Sequence, residues 1–314
     1  MGKIIGKESK EMLDVLIIGS GPAGLSAAVY AKRADLSVVV VEKVFYGTGQ
    51  IAESHQVDNY LGLLGINGYD LGEKFREHAA SLGVEFKEGD AERFEPCEEG
   101  WKVYLKKGEI LEARTVIYAA GAVHRHLDIP GEKEYSGKGV SYCATCDGAF
   151  FKGKTVAVIG GGDTALDDAL YLSGICKKVF LIHRRNEFRG SAKTVEQLRT
   201  RENVEFVLEA KPVKVTGADK VEKLELESGR NLEVDGVFVA VGMIPMTALV
   251  KEVAELDKDG YVVADETGKT TTKGFFVAGD VRTKALRQVV TAVSDGANAA
   301  ISAEQYIRKN YNRI

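Results

Sequence analysis

Cysteine is scarce. Of four cysteines in 314 residues, only Cys143 and Cys146 stand close together, and Cys97 and Cys176 are each isolated. No second cysteine pair is present to complete a structural zinc site, for which only His124 and His126 could supply the remaining ligands. Export signals are lacking too: the opening M-G-K-I-I-G-K-E-S-K-E has lysines but no apolar core region, and position 6 is not the Ser or Thr that myristoylation needs. A structural disulfide of the secreted kind therefore has little support. No apolar run approaches the roughly 18 residues needed to cross a membrane. Positive charge is not in excess either: 42 Lys and Arg face 46 Asp and Glu, which leaves no basic stripe for nucleic-acid phosphates. These absences predict a cytoplasmic protein with no nucleic-acid or membrane partner and no bound metal.

Glycine, by contrast, is abundant, with 35 residues against five prolines, as in an α/β protein with many tight strand-to-helix turns. The length allows about two domains with substantial cores. The stretch from Ser141 to Ala165 holds two devices almost end to end. Cys143-x-x-Cys146, followed at once by Asp147, brings two sulfurs within bonding reach and sets an acid beside them. Such motifs commonly lower the leading thiol's pKa, and an arriving or leaving thiolate needs a proton relay. The second device is the β-branched run Thr155–Ile159 opening into Gly160-x-Gly162-Asp163-Thr164-Ala165. Half a zinc site remains the competing reading of the cysteines. Redox chemistry at sulfur, driven by a nucleotide, is the reading pursued.

Near the start, the apolar strand Asp14–Ile18 turns through Gly19-Ser-Gly21-Pro22-Ala23-Gly24 into a small-residue helix. A second strand, Ser37–Val41, follows and closes in Glu42. This is a complete dinucleotide fingerprint: Gly19 for the tight turn, Gly21 for close approach of a pyrophosphate, Gly24 for helix-on-strand packing, and Glu42 for a ribose diol. Next, Gly47–Gln50 and Val57–Gly62 read as a glycine-punctuated loop too polar for core. A helix is predicted over 69–82 with Leu71, Phe75, His78 and Leu82 on one face, His78 being a half-exposed residue without a catalytic task. A β-meander is predicted over 84–114. A buried strand then ends in the small residues Ala120 and Gly121, where backbone must pass close to something.

From Lys154 the plan repeats, but the strand Lys178–Ile182 ends in His183-Arg184-Arg185 rather than an acid. An acid there would repel an adenosine 2′-phosphate, whereas arginines grip one through charge-assisted bonds. The second nucleotide is therefore expected to be NADP(H), and the first FAD. Beyond it, strands are predicted near 204–208, 221–227, 237–242 and 270–281, the last ending in Gly279-Asp280. An acid there can hold a ribityl hydroxyl. A closing helix over 287–309 carries glycine and alanine at close-packing spacings.

The first G-x-G-x-x-G, Gly49-Gln50, Asn59, C-A-T-C-D, G-G-G-D-T-A, H-R-R-x-x-x-R, V-F-V-A-V-G, F-V-A-G-D and R-Q-V (287–289) together resemble the low-molecular-weight, bacterial-type thioredoxin reductases. These are class II flavin disulfide reductases, and the likeness runs nearly the whole chain in family order. The resemblance implies two Rossmann-like domains, the second inserted in the first: an FAD domain over 1–124 and 247–314, and an NADPH domain with the dithiol over 125–246. It implies a homodimer and a thioredoxin-like disulfide substrate. By position it implies flavin contacts from Gly49, Gln50, Asn59, Asp280, Arg287, Gln288 and Val289, and 2′-phosphate contacts from Arg184, Arg185 and Arg189. Cys143 is implied to attack the substrate, Cys146 to exchange electrons with flavin, and Asp147 to act as acid/base. Leu61 stands where the family usually has proline, Met246 where it has Asn, and Gly47-Thr48-Gly49 replaces a shorter glycine pair. Relatives on this fold that take electrons from ferredoxin or pass them to oxygen, or a redox-sensing NADP-binding regulator, are the alternative readings.

Overall fold

Leu13–Ile18 forms the first strand, β1, and is buried from Asp14 onward. A run this apolar needs cover on both faces, which a central parallel strand receives. In the computed structural model, residues 12–44, 47–54 and 56–311 are described; the polar leader read from the sequence lies outside them. The chain continues through α1 (Pro22–Arg33), β2 (Val38–Glu42), α2 (Gly68–Ser81), β3 (Glu85–Glu88), β4 (Ala91–Cys97), β5 (Gly100–Leu105), β6 (Ile110–Tyr118) and β7 (Ala122–His124). There follow β8 (Val140–Ser141), α3 (Ala144–Asp147), β9 (Thr155–Ile159), α4 (Asp163–Ser173), β10 (Lys178–Ile182), α5 (Ala192–Arg199) and β11 (Val204–Val207). The last elements are β12 (Pro212–Gly217), β13 (Val221–Leu226), β14 (Asn231–Glu233), β15 (Gly236–Val239), β16 (Met243–Pro245), β17 (Phe275–Val277) and α6 (Val289–Tyr311).

The described residues fall into two compact units. One takes those up to Gln56, Ile66–Ala122 and those from Pro245 on, and the other takes Val57–Gly65 and Val123–Ile244. Two of the crossings lie in β7 and β16, which pair with each other, each two residues before the boundary read from the sequence. The grouping of 57–65 with the second unit is not part of that reading.

In the first unit β3, β2, β1 and β6 run parallel, and β6 changes partner along its length. Ile110–Ala113 pairs antiparallel with β5, whereas Val116–Tyr118 pairs parallel with β17. The meander expected over 84–114 is thus β4–β5–β6, and β3 belongs to the parallel set. Alternate residues of β1 enter two cores. Val15 and Ile17 pack with α1 and α6, while Leu16 and Ile18 pack with the β4–β5 hairpin and Val250, Ala254 and Val262. The small residues of α6 work as the sequence predicts: a Cβ on Gly296 would lie 2.0 Å from the Ala23 carbonyl of α1. The final strand is shorter than its pattern, because the Thr270 hydroxyl makes local bonds, donating to Phe275 O at 2.7 Å and accepting the Thr272 N–H at 3.1 Å.

The second unit repeats the scheme. Its parallel sheet has the order β11–β10–β9–β15–β8. One face meets α4, Leu198 of α5 and Ala144, and the other meets the antiparallel β12–β13–β14 sheet.

On α2 the inward residues are Leu71, Gly72, Arg76 and Ala79, while His78 is exposed. Thr48, in the loop read as too polar for core, is buried against Gly72.

The first unit also buries charge. Asp295 on α6 accepts from Arg282 Nε and Nη2 and from Lys284 Nζ at 2.7–2.9 Å. The Arg282 and Lys284 side chains are 2% and 3% exposed. Burial alone would push the Asp295 carboxyl up, but these bonds prevail and hold it below the usual carboxylate range. Asp295→Ala removes the carboxylate that both buried cations share, leaving Arg282 its pair with the exposed Glu266, and is expected to cost about 3–5 kcal/mol in urea unfolding. A depressed carboxyl contributes above the pH at which it titrates unfolded and stops contributing as pH falls through its folded value. The gap between wild type and mutant is therefore expected to narrow below about pH 4.

Candidate functional site

The two cysteines sit where β8 hands over to α3. Cys143 precedes the single turn of α3 as its N-cap, and its sulfur accepts the Cys146 N–H at 3.2 Å. The two-residue spacer stacks the side chains at either end of that turn, and they are joined as a disulfide with Cα atoms 5.3 Å apart. Both are half-buried, as is Asp147. Ser141 Oγ donates to Asp147 Oδ2 at 2.6 Å and accepts the Cys143 N–H at 3.1 Å. Gly148 is required next, because a Cβ there would meet the Tyr171 ring of α4 at 2.7 Å. In reduced form, the N–H aimed at the Cys143 sulfur would favour its thiolate.

The turn from β9 to α4 lies beyond the C-terminal end of the neighbouring sheet strands. A Cβ on Gly160 would meet the Ala240 carbonyl at 2.3 Å and the Ala165 methyl at 2.6 Å, so only glycine fits there. The loop after β10 folds back over this turn. Arg189 N–H and Gly190 N–H both donate to Gly161 O, and Ser191 N–H donates to Asp163 Oδ1 at 2.7 Å. His183 lies over Gly161, stacked on Phe188. Burial holds its imidazole below the usual histidine range; a backbone hydrogen bond at Glu187 partly offsets this, and Arg185, Arg189 and Arg184 push the same way as burial. Its Nε2 is buried with no hydrogen-bond partner. Arg184, Arg185 and Arg189 are exposed and line a cleft of about 400 Å³ together with Asn186, Glu187, Phe188 and Glu209. Thr164 is exposed on the first turn of α4 and Gly162 half-exposed before it.

In the first unit, Gly19 takes φ +110°, and a Cβ on it would meet the Ala119 carbonyl at 2.5 Å. The backbone of Ala119 and Ala120 thus passes close to Gly19, whereas a Cβ on Gly121 would meet nothing within 4 Å. A Cβ on Gly24 would meet Gly19 O at 1.9 Å, and Gly49 lies against Gly21. Pro22 and Ala23 open α1 behind Gly21. The 3-10 turn from Gln50 starts at Gly49. Neither α1 nor α4 has a side-chain cap, whereas α2 is capped by Asn67 and α5 by Ser191. The N–H groups at both glycine turns thus remain available to an anion. Across the sheet, Gly279 N–H is pinned to Asp295 Oδ2. The adjoining Asp280 is half-buried, its Oδ1 is enclosed with no hydrogen-bond partner among the described residues, and burial raises its pKa, with Lys284 and Arg287 opposing. Such an atom is suited to a hydroxyl donor on a ligand. Gln288 and Val289 begin α6, and Arg287 lies over the Tyr261 ring.

Two residues stand differently from the sequence reading. Glu42 does not present an unpaired carboxylate: both its oxygens receive Arg76, at 2.6 and 2.8 Å. A carboxylate has about four acceptor positions, so a ribose could only share it with Arg76. Asn59 falls in the segment that groups with the second unit, apart from the other flavin candidates. Sequence reasoning also missed Arg76, Ser141, Gly190 and Asp168 of α4. The Asp168 carboxyl is raised to about 7, by burial first and then by Asp167. Arg76 was detectable as a charge on the apolar stripe of α2. Of the isolated cysteines, Cys176 is a buried thiol pushed up to about 11 by burial and Asp235. His124 and His126 both pack on Tyr142. No cluster of three metal-binding side chains occurs among the described residues, nor any helix long and apolar enough to cross a membrane.

Comparison with known proteins agrees with this arrangement. Residues 13–296 match the pyridine nucleotide-disulphide oxidoreductase family. The chain is 40% identical to a thioredoxin reductase of Bacillus subtilis over 311 residues, covering 96% of each chain. It superposes on the crystal structure of thioredoxin reductase from Streptococcus pyogenes with a TM-score of 0.91 at 38% identity, covering 96% of this chain and 100% of that one. For thioredoxin reductase from Giardia duodenalis the TM-score is 0.90 at 34% identity, with 95% and 99% covered.

The His183–Gly161 contact is open to a direct check. A Cβ on Gly161 would fall 2.2–2.5 Å from three imidazole atoms. Gly161→Ala is therefore expected to destabilise by about 1–3 kcal/mol through overpacking. Adding His183→Ala should recover most of that loss in urea unfolding, since the atoms in conflict are removed.

Proposed function

The chain belongs to the thioredoxin reductases of the pyridine nucleotide-disulphide oxidoreductase family, and on that premise we propose that it carries electrons from NADPH through FAD and the Cys143–Cys146 disulfide to a thioredoxin-like protein. Membership brings a flavin and a pyridine nucleotide. The observation that carries the finer reading is a disulfide held on the same compact unit as a glycine turn roofed by an arginine loop. Three exposed arginines at the ribose corner favour a nucleotide with a 2′-phosphate. In the first unit the uncapped α1, the adjoining Gly21 and Gly49 and the orphaned Asp280 oxygen fit FAD.

Bound FAD would supply the two-electron link between nicotinamide and disulfide. The remaining work belongs to the chain. The Cys143 thiolate attacks one sulfur of the substrate disulfide, that S–S bond breaks, and the departing sulfur leaves as a thiolate and takes a proton. Cys146 then attacks the Cys143 sulfur, re-forming the internal disulfide and releasing the second substrate thiol. Asp147 takes the proton of the attacking thiol and returns it to the departing sulfur. A homodimer in the cytoplasm is part of the same reading.

Anaerobic addition of NADPH should bleach the flavin, and oxidised thioredoxin should restore its colour; bleaching without recolouring would remove thioredoxin as substrate. Each arginine bond to the 2′-phosphate contributes ~1.5–3 kcal/mol. Arg184→Ala with Arg185→Ala should therefore weaken NADPH by about 10²-fold or more in titration while changing NADH little. Equal use of both nucleotides by wild type would remove the phosphate assignment. The cysteine roles separate on a non-reducing gel. Cys146→Ser should trap a thioredoxin bearing a single reactive cysteine and Cys143→Ser should not; the opposite pattern exchanges the roles.

A further inference from the structure

The disulfide lies in a turn that its own chemistry loosens. When the Cys143–Cys146 bond opens, α3 loses its covalent clip, yet Asp147 must still stand at the same place beside the sulfurs. Ser141 spans that need. It is buried, and it sits on β8, where it pairs with Phe238 of β15 in the parallel sheet. Its hydroxyl accepts the Cys143 N–H at 3.1 Å and donates to Asp147 Oδ2 at 2.6 Å; Cys143 O, at 3.4 Å, is the longer alternative acceptor. One oxygen thus ties the backbone of the first cysteine to the carboxylate of the acid, and it takes no part in the sulfur–sulfur bond. We propose that Ser141 is a positioning residue of the dithiol site, fixing the Asp147 carboxylate relative to Cys143 in both the oxidised and the reduced state.

The bond is charge-assisted and short, the kind that fixes a carboxylate's rotation as well as its position. Proton transfer is sensitive to displacements of about an ångström, so loss of this tie should be felt in the rate of thiol exchange more than in the binding of either nucleotide. The role rests on the reading of Asp147 as acid/base, but it can be tested without NADPH, thioredoxin or flavin reduction.

Holoprotein reduced with dithiothreitol and desalted is mixed with glutathione disulfide and quenched with an alkylating agent. The alkylated fraction of the peptide carrying Cys143 and Cys146 then reports closure of the pair. Two electrons pass from the dithiol to glutathione disulfide, two glutathione molecules leave, and each carries one proton from the original thiols. Ser141→Ala is expected to slow closure by about 10-fold, in line with losing one charge-assisted bond. Ser141→Thr, which keeps the hydroxyl, should recover most of the rate. Asp147→Asn combined with Ser141→Ala should be no slower than Asp147→Asn alone, because Ser141 acts through the carboxylate. An unchanged alanine variant, a threonine variant as slow as alanine, or a double variant slowed by the full product of the single effects would each overturn the proposal. Flavin content and the urea midpoint identify any variant that is merely misfolded, and Ser141→Gly, which also lacks the hydroxyl, then takes its place with slowing again expected. Failure of wild-type protein to oxidise NADPH with thioredoxin would count against the proposed function and leave this cycle of variants readable.

Discussion

Both units depend on one constraint: where a parallel strand turns into its helix, backbone must touch backbone. In the first unit a Cβ on Gly19 would collide with the carbonyl of Ala119, at the end of β6; in the second a Cβ on Gly160 would collide with that of Ala240, just past β15. These are equivalent contacts, each between the first turn and the strand across the point where sheet order reverses. Such a point opens a crevice beyond the strand ends, where α/β sheets bind their ligands. The helices that follow start without side-chain caps. The same small-residue rule extends to α6, whose Gly296 meets α1.

Charge is handled in two contrasting ways. Inside the first unit it is neutralised locally, Glu42 by Arg76 and Arg282 and Lys284 by Asp295, as burial demands. At the arginine loop it is left in water, with three guanidinium groups around one cleft. Three arginines against Glu187 and Glu209 leave the cleft net positive, which raises the local concentration of an anion. Asp280 belongs to neither class: it is half-buried, yet one of its oxygens is enclosed without a hydrogen-bond partner among the described residues.

The glycine turns, the C-A-T-C-D motif and the arginine run were legible in the sequence because each is a local device whose residues are adjacent in the chain. The packing face of α6 followed from its glycine and alanine spacing, whereas the division into units came from the family resemblance. What escaped was decided by distant partners. Arg76 looks like a surface charge until Glu42 is placed beneath it. Gly190 is required by Asp163, whose backbone nitrogen a Cβ would meet at 2.7 Å. Ser141 and Asp147 are close in sequence, but no periodicity marks their bond. Among the elements, α5 buries only Leu198 fully, so its pattern is thin, and β14 has three residues, too few to show alternation.

The change of partner along β6 also bears on how the chain finds its fold. Tyr118 must meet Val277, and the Val123–Ile244 segment of the second unit lies between them in sequence. Closing an unstructured loop of that size costs entropy that grows with its length, by about 0.6 kcal/mol for each doubling. The pairing of β7 with β16 brings the two ends of the insert side by side. An insert that has already folded therefore acts as a short bridge rather than a long tether, and the strand that completes the first sheet arrives close to its partner. The order of assembly favoured by chain entropy is from the middle of the sequence outward.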